Sequence, residues 1–480
     1  MTTILDNLQV KKKCQRFTPP DAVSDMLHLA SYNASNEIIE RKVLENSFGN
    51  GDILIAIVKK YIEACLEKNL LPDTITDMLS ENIYGIELDK GLFEGTIRKL
   101  NDYTDDMRIP RVNWKLYNAD ALEWDDNIEF DFIIGNPPYV AYSEIDKDIR
   151  ERVRNKYITC SRGKFDYCYA FIESALKHLS PTGKLIQLIP NSIYKNVYAD
   201  LLRNKLRDHI RHINIYPSQQ LFKDVLTSTS IFLYDKSYLD DLIVCNNKTT
   251  DEVFEISRTS LKGKWILSEE DNRDADTTFR DLFRVSSSVA TLLNEAFILS
   301  EEQAQNMEQE IIRPAVSPKS KQYDRIQYII FPYSYTEDGK LQRYTEEEFS
   351  ERFPHATEHL KTFEESLNAR AKDKKAKWFE YGRSQALQHI NQEKLLLSTV
   401  VTNTINMYRI DAISVPYTGF YIIPNSEDVD LSDAEAILNS EEFLDYVKKI
   451  GISVNGKSVR ITCNDINNYR FSKDIIDGRA

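Results

Sequence analysis

Short apolar runs alternate with amphipathic stretches through the first half of the chain. Runs rich in β-branched and aromatic residues occupy 42–44, 82–87, 112–117, 130–134, 184–189, 212–216 and 230–234, the composition of buried strands. Between several of them apolar residues recur at helical spacing, as in 53–66, 169–179 and 198–209. Strands that alternate with helices predict a doubly wound α/β sheet over 1–235, with ligands at the carboxyl ends of its strands. From 236 to 310 the chain is polar, with an acidic stretch at 300–310, and reads as a connector with a small subdomain. The remainder, 311–480, mixes helical spacing (344–371) with strand patterns (326–331, 417–423) and a basic run at 370–377. It is expected to be a separate mixed α/β domain.

Composition changes this picture in three ways. Of 480 residues 42% are hydrophobic, enough for a substantial core, and Gly and Pro number only 15 each, so their clusters carry information. No window approaches the ~18 to 20 apolar residues of a membrane span, and residues 1–9 lack the pattern of a secretion signal, so a cytoplasmic protein with no membrane partner is expected. Cys14, Cys65, Cys160, Cys168, Cys245 and Cys463 form no C-x-x-C pair and have no nearby His spacing, which predicts reduced thiols and no metal site. The formal charge of −14 argues against a nucleic-acid partner, whose phosphates favour a basic surface.

One decapeptide argues the other way. Residues 130–139 read F-D-F-I-I-G-N-P-P-Y, an apolar strand that stops at Gly135 and runs straight into Asn136-Pro137-Pro138-Tyr139. Proline lacks an N–H and restricts the residue before it, so the pair would in any case end a strand. The same rings also fix two acceptors, the Asn136 amide oxygen and the Pro137 carbonyl. Such a pair suits an exocyclic amino group. Its lone pair is delocalised into the ring, and accepting both of its hydrogens raises electron density on the nitrogen. Tyr139 adds a face for a flat base, a contact of ~1 to 3 kcal/mol.

This turn, at the end of a fourth strand, resembles the catalytic motif of N6-adenine DNA methyltransferases, and the order of motifs resembles the TaqI-like gamma class of bacterial restriction-modification systems. The resemblance implies a Rossmann-like doubly wound methyltransferase sheet followed by a C-terminal mixed α/β target-recognition domain, with S-adenosylmethionine as cofactor. It assigns Asn136, Pro137, Pro138 and Tyr139 to catalysis. Thr18, in Q-R-F-T-P-P, matches the residue that meets the methionine moiety. In V-L-E-N-S-F-G-N-G, Glu45 matches the acid that holds the charged amino-acid end, and Ser47, Gly49 and Gly51 fall in the loop that follows. That loop departs from the family's acidic-Pro-Ala-Cys-Gly pattern at Asn46, Ser47 and Phe48.

Glu87, in Y-G-I-E-L-D, matches the acid that accepts from the ribose hydroxyls, while Asp120 and Ala121, in N-A-D-A-L, match the adenine-binding motif. Phe171 matches a ring packed on the cofactor, and Phe222 a second wall for the target base. The segment K-W-F-E-Y-G-R-S-Q-A-L at 377–387 is similar to the start of the family's specificity domain. Next to it, Arg370, Lys372, Lys374, Lys375 and Lys377 are candidates for phosphates, and Arg383 and Gln385 for base edges. Each of these residues also has an ordinary packing or solvated reading.

The implied partner is double-stranded DNA, bound by a monomer, with a separate cognate endonuclease. The chain's own E-x-x-K at 87–90 lacks the E-x-K spacing of a nuclease. Release-factor methyltransferases share Asn-Pro-Pro-Tyr, so protein glutamine is an alternative substrate, as is an RNA base. A non-catalytic DNA-binding module with a degenerate cofactor loop is the other alternative. The charge of −14 then reads as an average over acidic and basic stretches.

Overall fold

Val43, Leu44 and Glu45 are all buried, as are the four residues of Ile83–Ile86. Strands covered on both faces cannot alternate apolar with polar residues, which is why these segments read as continuous apolar runs. The computed structural model describes residues 18–33, 38–216, 221, 228–268, 275–454 and 458–477. They fall into two compact units, Met1–Asp271 and Asn272–Ala480.

The first unit is built on nine strands: β1 (Val43–Glu45), β2 (Ile83–Ile86), β3 (Lys115–Tyr117), β4 (Phe130–Gly135), β5 (Leu179–Pro190), β6 (Ile210–Tyr216), β7 (Thr229–Asp235), β8 (Leu242–Asn247) and β9 (Glu252–Ser257). Their order across the sheet is β3-β2-β1-β4-β5-β7-β6-β8-β9. Strands β1 to β5 pair in parallel, β7 runs antiparallel between β5 and β6, β8 is parallel to β6, and β9 antiparallel to β8. The chain order reverses between β1 and β4, and ligands of such sheets bind at that switch, outside the carboxyl ends of the strands.

Helices cover both faces. On one side α1 (Pro20–Ala30), α2 (Asp52–Glu67), α3 (Pro72–Asn82) and α4 (Lys90–Asp106) bury Met26, Ile57, Leu79 and Leu100 against Phe132 and Ile134. On the other, α5 (Lys147–Lys156), α6 (Cys168–Lys177), the single turn α7 (Ser192–Lys195) and α8 (Asp200–Arg207) bury Val153, Ile172, Ile193 and Leu202 against Phe130 and Ile133. The result is a three-layer α/β/α unit.

The sheet runs past the Asp235 boundary expected from sequence. Only alternate residues of the last two strands face inward, Ile243 and Cys245 on β8 and Phe254 and Ile256 on β9. Half-exposed edge strands carry too many polar residues to stand out from a connector.

The second unit is mixed α/β. One four-stranded sheet has the order Phe283–Ser287, Phe420–Pro424, Lys394–Leu397, Met407–Ile410, and another Ile298–Leu299, Tyr328–Ile330, Ile312–Val316, Val415–Pro416. The helical spacing expected over 344–371 resolves into three short helices, Glu346–Arg352, Pro354–Lys361 and Glu364–Ala369, with Pro354 starting the second.

Candidate active site

The carboxyl end of β1 places Glu45 in the interior at 2% exposure, and its Oε2 has no hydrogen-bond partner among the described residues. Burial pushes its carboxyl well above the usual range. The Glu87 and Asp52 charges push the same way, and a hydrogen bond from the Leu54 backbone opposes them. A buried acid left short of a partner is costly to ionise unless a cation arrives. The loop that follows turns through Gly49 and Gly51, at φ +53° and +84°, the left-handed region that glycine enters without strain. A Cβ on Gly51 would come within 2.5 Å of Thr96 Cγ2.

The three residues that depart from the family pattern each have a partner in the fold. Asn46 is buried, with Nδ2 3.5 Å from the Phe171 carbonyl. Ser47 Oγ donates to the Asn136 carbonyl at 3.2 Å. Phe48 is buried and stacks with Phe93 at 6.0 Å. A Cβ on Gly85 would lie 2.8 Å from the Phe48 ring, so the glycine of β2 makes room for a side chain larger than the family's.

Glu87, after β2, ties this loop to the next strand end. Its Oε2 accepts the Gly49 N–H at 2.8 Å and its Oε1 the Asp89 N–H at 2.7 Å. A carboxylate is an acceptor-only group with about four lone-pair positions, a chemistry suited to hydroxyl donors. Asp120, after β3, accepts from the Leu122 N–H at 2.9 Å through Oδ1, while its Oδ2 lies 3.5 Å from Arg152. Ala121 beside it is buried. Phe171, on α6, is 6% exposed and meets Tyr167 edge-on at 5.4 Å, so it packs as a core ring whose carbonyl faces Asn46.

The Asn-Pro-Pro-Tyr turn leaves β4 at the switch point, one strand from Glu45. Asn136 Nδ2 donates to Thr18 Oγ1 at 3.2 Å, which leaves Oδ1 as the acceptor aimed elsewhere. Thr18 itself is buried. The Tyr139 hydroxyl lies against both Asn136 Oδ1 and the Leu188 carbonyl. Pro137 is buried and Pro138 half-buried. Sequence positions 18 and 47 thus meet at Asn136, one on its side-chain amide and the other on its backbone carbonyl. Phe222 lies outside the described residues.

Sequence reasoning did not single out Asp166. It accepts the Cys168 N–H at 3.1 Å where α6 begins, and burial pushes its carboxyl up to about 6. Its only sequence signal is position, an acid just ahead of an apolar helix.

In the second unit the structure narrows the candidate DNA contacts. Arg370 donates to the carbonyls of Leu367, Thr291, Trp378 and Glu380, so its guanidinium knits loops together. Lys377 donates to the Tyr344 carbonyl, Lys372 lies 3.4 Å from Asn368 Oδ1, and Arg383 pairs with Asp373 at 2.8 Å. Lys374, Lys375 and Gln385 are exposed. The motif's aromatic residues are core, with Phe379 stacked on Phe349 at 4.2 Å and the Tyr381 hydroxyl donating to Ile330.

Comparison with known proteins accords with this geometry. The family model of the Eco57I restriction-modification methylase matches residues 55–222. The chain is similar to the Type II methyltransferase M.BstVI of Geobacillus stearothermophilus, 23% identical over 513 positions that cover 95% of this chain and 89% of that one. It is also similar to the Type II methyltransferase M.PaeR7I of Pseudomonas aeruginosa, 29% identical over 207 positions, 42% of this chain and 35% of that one. In fold it resembles the Type IIL restriction-modification enzyme MmeI, solved in complex with DNA, with a TM-score of 0.60 and 15% identity over 97% of this chain and 67% of that one. Residues 55–222, on a doubly wound α/β sheet, match the Eco57I-type restriction-modification methylase domain.

Proposed function

We propose that this protein transfers a methyl group from S-adenosylmethionine to N6 of an adenine flipped out of duplex DNA. The observation that carries the reading is the Asn-Pro-Pro-Tyr turn at the β1/β4 switch, its amide oriented by Thr18 and its backbone by Ser47. Thr18 Oγ1 accepts one hydrogen of the Asn136 amide, and the Oδ1 that faces the Tyr139 hydroxyl is the acceptor for the incoming amine.

The residues present fit the cofactor. The buried, under-partnered Glu45 carboxylate suits the ammonium of its amino-acid end, and the glycines at 49 and 51 let the backbone approach closely. Glu87 is the acceptor for the ribose hydroxyls, and Asp120 is the acid for the adenine amino group. When bound, the cofactor supplies the methyl group on a sulfonium centre that leaves as a neutral thioether.

The protein's share of the chemistry is orientation. Asn136 Oδ1 and the Pro137 carbonyl accept the two N–H bonds of the target amine, which weakens its conjugation with the ring and directs its lone pair. The amide oxygen has two lone pairs, so it can hold the Tyr139 hydroxyl and the amine together. The Leu188 carbonyl offers that hydroxyl an alternative acceptor. With its hydroxyl anchored, the half-buried Tyr139 ring is held in one orientation, and its face is the one for the target base. N6 is occupied in base pairing within a duplex, so the base must leave the stack to reach this turn.

Calorimetry with S-adenosylmethionine, followed by transfer of a tritiated methyl group to a panel of duplex DNA, RNA and protein, tests the reading. Cofactor binding with label in DNA is expected. Label in RNA or protein would move the substrate class, and DNA binding without cofactor binding would reduce the chain to a binding module.

A further inference from the structure

Just beyond the Asn-Pro-Pro-Tyr turn the chain carries a dense set of cations, on α5 and in the loop before α6. Three of them are matched to acids. Arg152 lies 3.5 Å from Asp120 and 3.4 Å from Glu123, Lys156 lies 3.1 Å from Glu123, and Arg162 pairs with Asp200. Arg150 and Arg154 are different. Among the described residues neither has a carboxylate partner, and the Nε of each is buried without a hydrogen-bond partner.

Both guanidiniums instead stack on one ring. Arg150 Cζ is 4.8 Å and Arg154 Cζ 5.5 Å from the centroid of Tyr142. The Tyr142 ring is held edge-on against Phe165 at 5.3 Å, and Arg154 also lies 5.7 Å from the Phe165 ring. Arg154 Nη2 donates to the Gly163 carbonyl at 2.7 Å and to the Tyr142 hydroxyl at 3.3 Å. Burial alone would push the Tyr142 phenol up, yet the Arg154 and Arg150 guanidiniums hold it below its ordinary value. Two like charges one helical turn apart, clamped on a shared ring and neither ion-paired among the described residues, form a preorganised receptor for an anion. The guanidinium fork matches the oxygens of a phosphate.

The chain itself indicates which phosphate. Tyr142 is three residues from Tyr139, the ring assigned to the flipped base, so the two lie within about 11 Å along the chain. We propose that Tyr142, Arg150 and Arg154 form a binding site for a backbone phosphodiester of the DNA strand beside the extruded base. The site rests on the reading of the chain as a DNA methyltransferase. It makes the catalytic unit itself a DNA-binding surface, within a chain whose net charge is −14.

The test is the salt dependence of binding to linear plasmid DNA, measured with full-length protein after wild-type methyl transfer to that DNA is established. Each phosphate contact contributes about 0.9 to the slope of log K against log salt. Arg150→Gln is expected to lower the slope by about 1 and to raise KM for DNA, with S-adenosylmethionine affinity and melting temperature unchanged. Arg150→Lys, which keeps the charge, is expected to retain most of the slope. Arg154 also supports the Gly163 loop, so the double variant Arg150→Gln/Arg154→Gln is read only if its cofactor affinity is intact. An unchanged slope and an unchanged KM for DNA in Arg150→Gln, with wild-type transfer to DNA intact, would overturn the site and leave the methyltransferase reading standing. Protection by inorganic phosphate with no change in DNA binding would mark a free-anion site and overturn it as well. If the wild-type protein transfers no label to DNA, the underlying reading fails first.

Discussion

Glu45 shows most clearly how a single residue sets stability against function. Its carboxyl is buried, short of a partner and pushed well above the usual range by desolvation. A group whose folded value is raised contributes stability below its unfolded value, and that contribution is lost as pH rises through the raised value. Glu45→Gln is therefore expected to raise the melting temperature of the cofactor-free protein by an amount that grows with pH. A cationic ligand needs the ionised form, so wild-type cofactor affinity should fall on acidification. The variant should bind more weakly and lose that dependence. Thermal shifts with and without S-adenosylmethionine across pH check both halves. Phe48 is the opposite case, a departure from the family pattern that the fold explains by packing. It fills the space over Gly85, so Phe48→Ala should cost about 3–5 kcal/mol in denaturant unfolding. Sequence alone marked Asn46, Ser47 and Phe48 as anomalies. Their partners, at positions 171, 136 and 93, are set by the folding of distant segments.

At the scale of elements, the central strands were legible because burial on both faces makes them apolar throughout, as in β1, β2 and β4. The edge strands β8 and β9 were not, since only alternate residues face the core. Helix α5 was missed for a related reason, as Val153 is its only fully buried residue. The strand ends that carry Glu45, Glu87, Asp120 and Asn136 were placed correctly in order, while the hydrogen bonds that join them had no signal in the sequence. The basic run at 370–377 is where charge along the chain says least, because it does not reveal where a donor points. Arg370 donates to four backbone carbonyls. Arg370→Ala is accordingly expected to lower the melting temperature of the second unit while leaving the salt dependence of DNA binding near the wild-type slope. A loss of slope without destabilisation would return Arg370 to the DNA surface. In the cofactor loop, Gly51→Ala should destabilise by about 1–2 kcal/mol or more, from the left-handed backbone together with the Thr96 contact.

At the scale of the whole molecule, each of the two units has cores of its own, with the three-layer α/β/α arrangement in the first and two four-stranded sheets in the second. The cofactor and catalytic residues assigned here all belong to the first unit. A chain ended after Asp271 is expected to bind S-adenosylmethionine and to lose site-specific methylation, read by calorimetry and by mapping modified adenines. Full-length affinity for DNA should fall steeply with salt despite the net charge of −14. The central claim concerns which atom receives the methyl group. Incubation with tritiated S-adenosylmethionine and duplex plasmid DNA, followed by digestion to nucleosides, measures it directly. Label in N6-methyl-2′-deoxyadenosine is expected with wild-type protein and none with Asn136→Ala, whose cofactor binding should persist. Label in N4-methylcytosine, or undiminished transfer by Asn136→Ala, would contradict it.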